Sequence, residues 1–259
     1  GNPTITLVVG SDNRTATYAS GDNSTELVFE YTIQATGTSG ENDSNGISIP
    51  QHALDNNSST IRDVAHNYAI LTHSALSDNS SYIVDTAPPT VSSVAITDEE
   101  GIQNSFLNAG DNVSVTVTFS EPPISAVIVE SGNPTLTLVV GSTNRTAIYH
   151  SGNSTIVSSG SNNASLVFRY TIQATNTSGE NDSNGISIVE DPLNSDSITI
   201  RDAAGNIADN LTHSAVDNNS SYKVDTIPPS VDNFTISDTE FQIGDNATVT
   251  LEFSEPVCT

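Results

Sequence analysis

The chain contains the stretch SYIVDTAPP at residues 81–89 and a near copy, SYKVDTIPP, at residues 221–229. Each stretch begins as an alternating, strand-like run. It ends in two prolines, which cannot donate to a sheet and which hold the backbone extended. This pattern predicts the last strand of a domain followed by a short, stiff joint. Because the sequence around the two stretches also repeats, the chain is predicted to be a tandem array.

The repeated segments have the pattern of strands. GNPTITLVVG at residues 1–10 returns as GNPTLTLVVG at 132–141, and LVFEYTIQ at 27–34 returns as LVFRYTIQ at 166–173. Large apolar residues occupy every second position of the latter pair, as in a strand with one buried face. No segment of useful length has an apolar period of 3.6 residues, so essentially no helix is expected. Many short strands separated by Gly, Asn, Asp and Pro predict an all-β fold of tandem, immunoglobulin-like (Ig-like) β-sandwich domains.

The double prolines divide the chain into three units. Residues 1–86 (unit 1) are predicted to be an Ig-like domain that lacks its first strands, 87–227 (unit 2) a complete domain, and 228–259 (unit 3) the first strands of a third. The tail and the head of the chain are therefore complementary. Two interpretations stay open: the chain is a window from a longer array, or the tail of one chain completes unit 1 of the next, as in a strand-donation filament.

The composition limits the possible partners. The 259 residues include 31 acidic and 6 basic side chains, for a formal net charge of −25. A nucleic-acid partner is excluded because phosphate binding needs a basic face, and small cations are expected instead. The alternative is that the acidic residues simply keep the surface solvated. No stretch has the length and apolarity of a membrane span, and the single cysteine, Cys258, cannot form an internal disulfide.

The chain contains many copies of the acceptor pattern for N-glycosylation, N-x-[ST]. Glycans on these asparagines would indicate an extracellular protein in an organism that makes N-glycans. The pattern occurs more often than composition predicts, although repetition also multiplies chance occurrences. The acceptors are Asn13, Asn23, Asn42, Asn56, Asn57, Asn79, Asn112, Asn144, Asn153, Asn163, Asn176, Asn181, Asn210, Asn218, Asn219, Asn233 and Asn246.

Two copies of the motif ENDSNG are candidate calcium loops. Oxygen side chains at the first, third and fifth positions with Gly at the sixth follow the logic of a calcium-binding loop. The predicted ligands are Glu180, Asp182, Asn184 and Asp191 in one copy, and Glu41, Asp43 and Asn45 in the other, where His52 stands at the twelfth position. The alternative is a Gly-terminated turn in which Asn and Asp serve turn formation.

A second set of acidic residues is expected near the joints. A cation held there would relieve the repulsion between carboxylates of adjacent domains and stiffen the joint; the alternative is a solvated turn. The candidates are Asp202, Asp225 and Glu255, with the matching Asp63, Asp85 and Glu121.

Catalysis is the rival class of function. His73-Ser74 and His213-Ser214 place His beside Ser. Neighbours in a strand point to opposite faces, whereas a catalytic triad is assembled in space. The chain also lacks the G-x-S-x-G, H-E-x-x-H, Walker and G-x-G-x-x-G patterns. We therefore expect no enzymatic activity.

The motifs DAAGN at residues 202–206, VDTxPP at both joints and TFSEP at 118–122 resemble the Ig-like repeats of giant bacterial adhesins and of bacterial and archaeal surface-layer proteins. The resemblance covers essentially the whole chain. It implies an Ig-like sandwich, an extracellular location, calcium as a frequent structural ion, and no catalysis.

Acidity and the surplus of glycan acceptors favour an archaeal surface-layer glycoprotein over a bacterial adhesin. We therefore expect a structural segment of the cell envelope, located at the cell surface. Its expected partners are copies of itself or neighbouring Ig-like domains, together with small cations. The alternatives are the calcium-stiffened stalk of a giant adhesin and a subunit of a strand-donation filament.

Overall fold

The computed structural model describes residues 1–35, 41–120, 126–150, 163–174, 180–194, 199–237 and 240–257. No helix occurs in these ranges, and none of their segments could span a membrane as a helix. The strands are β1 Thr4–Val9, β2 Asp12–Ser20, β3 Val28–Glu30, β4 Leu54–Asp55, β5 Thr90–Glu100, β6 Phe106–Leu107, β7 Asn112–Ser120, β8 Ile128–Ser131, β9 Thr135–Val140, β10 Thr143–Tyr149, β11 Asn163–Thr171, β12 Asn181–Asp182, β13 Ser187–Asn194, β14 Thr199–Arg201, β15 Lys223–Asp225, β16 Val231–Ile236 and β17 Val249–Phe253.

Unit 2 is organised around a six-stranded antiparallel sheet with the order β13-β9-β10-β11-β7-β5. Alternation of apolar residues gives this sheet one buried face. Phe119 of β7 and Phe168 of β11 are completely buried on it. The prediction of an all-β fold with essentially no helix is confirmed.

Short strands cover the buried face of the six-stranded sheet. They form a three-stranded sheet, β12-β15-β6, and a pair, β14-β8. Leu107 of β6, Ile200 of β14 and Val224 of β15 belong to the same apolar core as the long strands. The core therefore lies between the long sheet and the short strands. The Ig-like sandwich is a finer assignment and stays a prediction, as do the unit boundaries.

Unit 1 forms a smaller sheet with the order β3-β2-β1-β4. Strand β3 matches β11 in sequence but has 3 residues where β11 has 9. The reason is pairing: β11 lies between β10 and β7, whereas β3 is the last strand of its sheet. Apolar residues in and beside it are accordingly more exposed: Val28 of β3 is 44% and the preceding Leu27 37% exposed, where the matching Val167 and Leu166 are 7% and 1% exposed.

Unit 3 consists of the antiparallel pair β16-β17. In sequence β16 and β17 match β5 and β7 of unit 2. Their apolar side chains are exposed: Phe234 is 69% and Leu251 52% exposed, whereas Val117, which matches Leu251, is fully buried. The pair keeps the alternation of a buried strand although no second layer covers it within the described ranges.

Candidate ion-binding loops and interdomain joints

Glu180, the first residue of the better candidate calcium loop, is a buried carboxylate surrounded by donors. The Tyr170 hydroxyl donates to its Oε1 at 2.5 Å, and the Gln173 N–H donates to its Oε2 at 2.7 Å. The Arg145 guanidinium forms an ion pair with the same carboxylate. Both oxygens therefore have protein partners, and burial together with the hydrogen bond to Glu180 raises the pKa of Tyr170.

Asp182, the third residue of the loop, organises a turn. Its Oδ1 accepts hydrogen bonds from the N–H groups of Asn184 at 3.1 Å and Gly185 at 2.9 Å. Its Oδ2 accepts the N–H of Gly141, in the turn between β9 and β10, at 2.8 Å. The side chain thus closes its own loop and fastens it to a neighbouring hairpin, which is the local bonding expected of Asp in turns.

Unit 1 repeats this arrangement. Glu41 accepts a hydrogen bond from the Tyr31 hydroxyl, accepts the Gln34 N–H at 2.7 Å and pairs with Arg14. Burial raises the pKa of Glu41, but the hydrogen bonds from Tyr31, Gln34 and Arg14 and the charge of Arg14 outweigh burial and leave the pKa below its ordinary value. Asp43 accepts the N–H groups of Gly46 and Gly10 at 2.9 Å each.

The side chain at the twelfth position of each loop accepts a hydrogen bond from a backbone N–H group. Asp191 Oδ1 accepts the N–H of His213 at 2.8 Å, and the Nδ1 of His52 accepts the N–H of His73 at 3.3 Å. Both residues have a left-handed backbone, with φ of 50° and 58°. Asp and His interchange here because either can accept one hydrogen bond.

The loop geometry supports the turn interpretation more directly than the calcium interpretation. Within the described ranges, no three His, Cys, Asp or Glu side chains are grouped as a metal ion would need. An ion at Asp182 or Glu180 would have to displace N–H and O–H donors that already satisfy the carboxylates. Asn184 and Asn45 contribute backbone N–H groups to their turns, while their side chains are exposed. Calcium at these loops stays a prediction.

At the first joint, residues 84–89, Asp202 organises the contact between units 1 and 2. Its buried carboxylate accepts the N–H groups of Gly205 and Asn206 at 2.7 and 2.9 Å. The Asn206 amide donates to Asp202 Oδ2 at 2.7 Å and to the Asp85 carbonyl at 3.1 Å. The turn after β14 therefore contacts the joint that precedes its own unit, so the structure groups Asp202 with Asp85 rather than with Asp225.

The matching turn in unit 1 is formed but exposed. Asp63 accepts the Asn67 backbone N–H and side-chain amide at 2.8 Å each. The hydrogen bonds from Asn67, its side chain first, hold the pKa of Asp63 below its ordinary value. Glu121, the remaining joint candidate, lies outside the described residues.

At the second joint, residues 224–229, the structure brings Asp225 and Glu255 together. They line a cleft between units 2 and 3 to which Phe106, Asp111 and Pro228 also contribute. Burial, the charge of Asp225 and a hydrogen bond with it raise the pKa of Glu255. Two carboxyl groups in one cleft are the arrangement that a cation or a shared proton would stabilise.

Most candidate glycan acceptors with described side chains are exposed. Asn79, Asn112 and Asn219 are half-buried; Asn153, Asn176 and the side chain of Asn163 lie outside the description. The exposed acceptors are Asn13, Asn23, Asn42, Asn56, Asn57, Asn144, Asn181, Asn210, Asn218, Asn233 and Asn246.

The histidines of the two His-Ser pairs bond to backbone groups. The His73 ring accepts the Ala53 N–H at Nε2 and donates from Nδ1 to the Ser74 carbonyl. His213 Nδ1 makes the same contact with the Ser214 carbonyl, at 2.6 Å. Sequence reasoning missed a different group, the Tyr and Arg partners of Glu180 and Glu41. Their signal was present, because LVF-x-YTIQ recurs with the same spacing to ENDSNG and NRTA precedes that motif in both copies.

Comparisons with models of protein families, with curated proteins and with solved structures find no match.

Proposed function

We propose that this chain is a structural segment of an extracellular cell-envelope protein, built from tandem Ig-like domains of the surface-layer type. The proposal rests on the observation that units 1 and 2 repeat the same side-chain contacts. Tyr170, Glu180 and Arg145 form the same network of contacts as Tyr31, Glu41 and Arg14. Repeated domains joined by short proline linkers suit a mechanical role, since load passes from one domain to the next through the joints.

The first joint supports the proposed mechanical role. Two consecutive prolines restrict the backbone, and Asn206 adds a hydrogen bond between units. At Asp85, the side chain also accepts the N–H of Ala87 at 3.1 Å. A linker that is bonded on both sides transmits force and orientation better than a flexible one.

The proposed location is tested with antibodies against the chain. On intact source cells we expect surface labelling, together with cleavage by an added protease that cannot enter cells. Labelling only after the cells are broken would contradict the proposal. Intact-mass measurement of native material tests the glycan part, with sugars expected on several of the exposed acceptors.

The proposed association with cations rests on the net charge of −25 and on the carboxyl pair at the second joint. An acidic coat enriches small cations within a Debye length, about 8 Å at physiological ionic strength. Ion partitioning on isolated envelopes checks this, and an absence of excess cations would contradict it.

The alternative function, a calcium-stiffened adhesin stalk, is favoured only by Asp225 and Glu255. It predicts that millimolar calcium lengthens the rod in small-angle scattering and that a chelator reverses this. A rod of the same length in calcium and in chelator would favour the surface-layer role.

A further inference from the structure

Two histidines of unit 1 hold two segments of the chain together through their ring nitrogens. His73 Nε2 accepts the N–H of Ala53 at 2.9 Å, and His52 Nδ1 accepts the N–H of His73 at 3.3 Å. The backbone adds a bond from the His52 N–H to the His73 carbonyl at 3.4 Å. We call these three hydrogen bonds the histidine clasp. It joins the turn before β4 to the segment at residues 72–74.

Each ring makes these bonds in only one neutral tautomer. His73 donates from Nδ1 to the Ser74 carbonyl at 2.7 Å, so its proton lies on Nδ1 and its Nε2 has a lone pair with which to accept. In His52 the accepting nitrogen is Nδ1, so the proton of the neutral ring lies on Nε2. The clasp therefore requires two uncharged rings of opposite tautomer.

A proton taken up by either ring removes an acceptor. An imidazolium donates from both nitrogens, so a proton on His73 Nε2 would face the N–H of Ala53. A proton on His52 Nδ1 would likewise face the N–H of His73. Two donors that face each other both lose their hydrogen bond. The ring centroids are 6.2 Å apart, so two charged rings would also repel each other.

The clasp acts on a buried part of unit 1. Ala53 is buried, and its carbonyl accepts the N–H of Thr6 in β1 at 3.0 Å. A buried N–H that loses its acceptor is costly, because water does not readily replace the lost partner. Opening of the clasp would therefore separate the segment at residues 72–74 from the sheet to which Ala53 is bonded.

Apart from each other, the two rings have no ion pair or hydrogen bond with a titratable side chain among the described residues. Strand β1, to which Ala53 is bonded, carries no titratable side chain. The charged residues closest in sequence to the two histidines are Asp55 and Asp78. The Asp55 carboxylate accepts the N–H of Asn57 at 2.7 Å, and Asp78 is exposed.

Unit 2 has the same backbone arrangement without the two imidazole acceptors. Asp191 stands in place of His52, and its carboxylate accepts the N–H of His213. Pro192 stands in place of Ala53 and has no N–H. His213 Nε2 is accordingly a buried atom that has no hydrogen-bond partner within the described part of the chain. A proton on this nitrogen would meet no N–H at position 192, so unit 2 serves as an internal control.

We propose that the histidine clasp is a pH-responsive element, closed at neutral pH and opened by mild acid. Histidine is the side chain that ordinarily changes charge between about pH 5 and 8. The closed clasp excludes the added protons, so proton uptake favours the open form and the closed fraction falls as pH falls. Unit 1 thus loosens in acid at a place where unit 2 does not. The inference is independent of the cellular location proposed above.

Nitrogen-15 NMR of the histidine rings tests the closed geometry. At about pH 8, where histidine is ordinarily neutral, we expect the proton on Nδ1 of His73 and on Nε2 of His52. The same tautomer in both rings would overturn the proposal.

Amide hydrogen exchange of the full chain, corrected for intrinsic rates, tests the opening. Between about pH 8 and 5, protection of the Ala53 and His73 N–H groups should fall about 10-fold or more, whereas protection of the His213 N–H should change less than about 3-fold. A tenfold change corresponds to one unit of pKa. Equal losses at His73 and His213 would indicate general destabilisation and would overturn the proposal. Unchanged protection at Ala53 and His73 would overturn it as well.

The double variant His52→Asp/Ala53→Pro installs the residues of unit 2 and should make the His73 N–H as insensitive to pH as that of His213. The single variant His52→Asp tests the same point without proline. It suits the site because Asp191 has φ of 50° where His52 has 58°, and it should reduce the loss at His73 at least about 3-fold.

His66→Asn is the matched control. It removes a histidine of the same unit from another left-handed position, with φ of 68°, outside the clasp. The full response to pH should remain in this variant. Loss of the response in His66→Asn, or an undiminished response in His52→Asp, would overturn the proposal.

Discussion

The side-chain amide of Asn206 donates a hydrogen bond to the backbone carbonyl of Asp85, 121 residues earlier in the chain. The same amide also bonds to the buried carboxylate of Asp202. One side chain therefore connects the core of unit 2 with the end of unit 1. The orientation of the chain at the first double proline is therefore stabilised by a residue that lies far away in sequence.

Substitution of Asn206 with Ala should loosen the first joint. The change removes the bond to Asp85 and one donor to Asp202, at a cost of about 1 to 3 kcal/mol to unit 2, because a buried carboxylate loses a partner. Hydrogen exchange in unit 2 and a fluorescence distance distribution across the joint measure the two effects.

Asn67→Ala is the matched control for this change. Asn67 makes the same turn with Asp63 in unit 1, but that turn is exposed. Its loss should cost less than about 1 kcal/mol. Equal broadening of the distance distribution in both variants would contradict the role of Asn206.

Removal of the Tyr170 hydroxyl should destabilise unit 2. Tyr170→Phe leaves the buried Glu180 without its hydroxyl donor, and hydrogen bonds to charged groups are worth about 1.5 to 3 kcal/mol. Urea unfolding monitored by hydrogen exchange should show a loss in this range. Tyr31→Phe is the control, with a smaller effect because Tyr31 is half-buried; a larger loss there would contradict the argument.

Unit 1 and the second joint should respond to pH in opposite senses. The pKa of Glu41 is below its ordinary value of 4.5, so its contribution to folding is present above that value and is lost as pH falls through the lowered pKa. The pKa of Glu255 is raised above 4.5. Its arrangement with Asp225 is therefore favoured at low pH and weakened as pH rises through the raised pKa.

Hydrogen exchange between pH 3 and 7, corrected for intrinsic exchange rates, measures both responses. Glu255→Gln should abolish the loosening of the second joint at higher pH, whereas Glu252→Gln, on exposed β17, should retain it. In the unmodified chain, millimolar calcium should also suppress this loosening if a cation replaces the proton between Asp225 and Glu255. Identical pH profiles for both variants would contradict the role of Glu255.

Gly185→Ala should disrupt the loop that contains Asp182. Gly185 has φ of +95°, and a Cβ there would lie 1.9 Å from the carbonyl oxygen of Asn219. The left-handed backbone alone costs about 1 to 2 kcal/mol, and the backbone contact adds to this. Gly205→Ala measures the cost of the left-handed backbone alone, because Gly205 has φ of +98° with open space around the added carbon. Equal unfolding free energies for the two variants would contradict the steric argument.

Several features of the fold could be predicted because they depend on local pattern. Alternation in β7 and β11 identified strands and their buried faces, and ENDSNG identified a turn that needs glycine at Gly185. The lengths of strands could not be predicted in this way. LVFEYTIQ and LVFRYTIQ have almost the same pattern, yet β3 is short and β11 is long, because strand length depends on a neighbour with which to pair.

The candidate sites could likewise be predicted only in part. The acidic residues were visible, but their partners were not: Asp202 contacts the first joint through Asn206, and Glu180 is held by Tyr170 and Arg145. These groups come from distant segments, and only the packing of strands decides which of them meet.

By itself, the amino-acid sequence determined the all-β class, the repeated segments, the two double-proline stretches and the strong negative charge. These follow from side-chain alternation, from the backbone restrictions of proline and from composition, all of which act locally or additively. The tertiary structure alone decided that Glu180 and Asp182 face protein donors, that Asp225 and Glu255 share a cleft, and that Leu27 and Leu251 are exposed. Burial and hydrogen bonding depend on which surfaces meet, and that is a property of the folded chain as a whole.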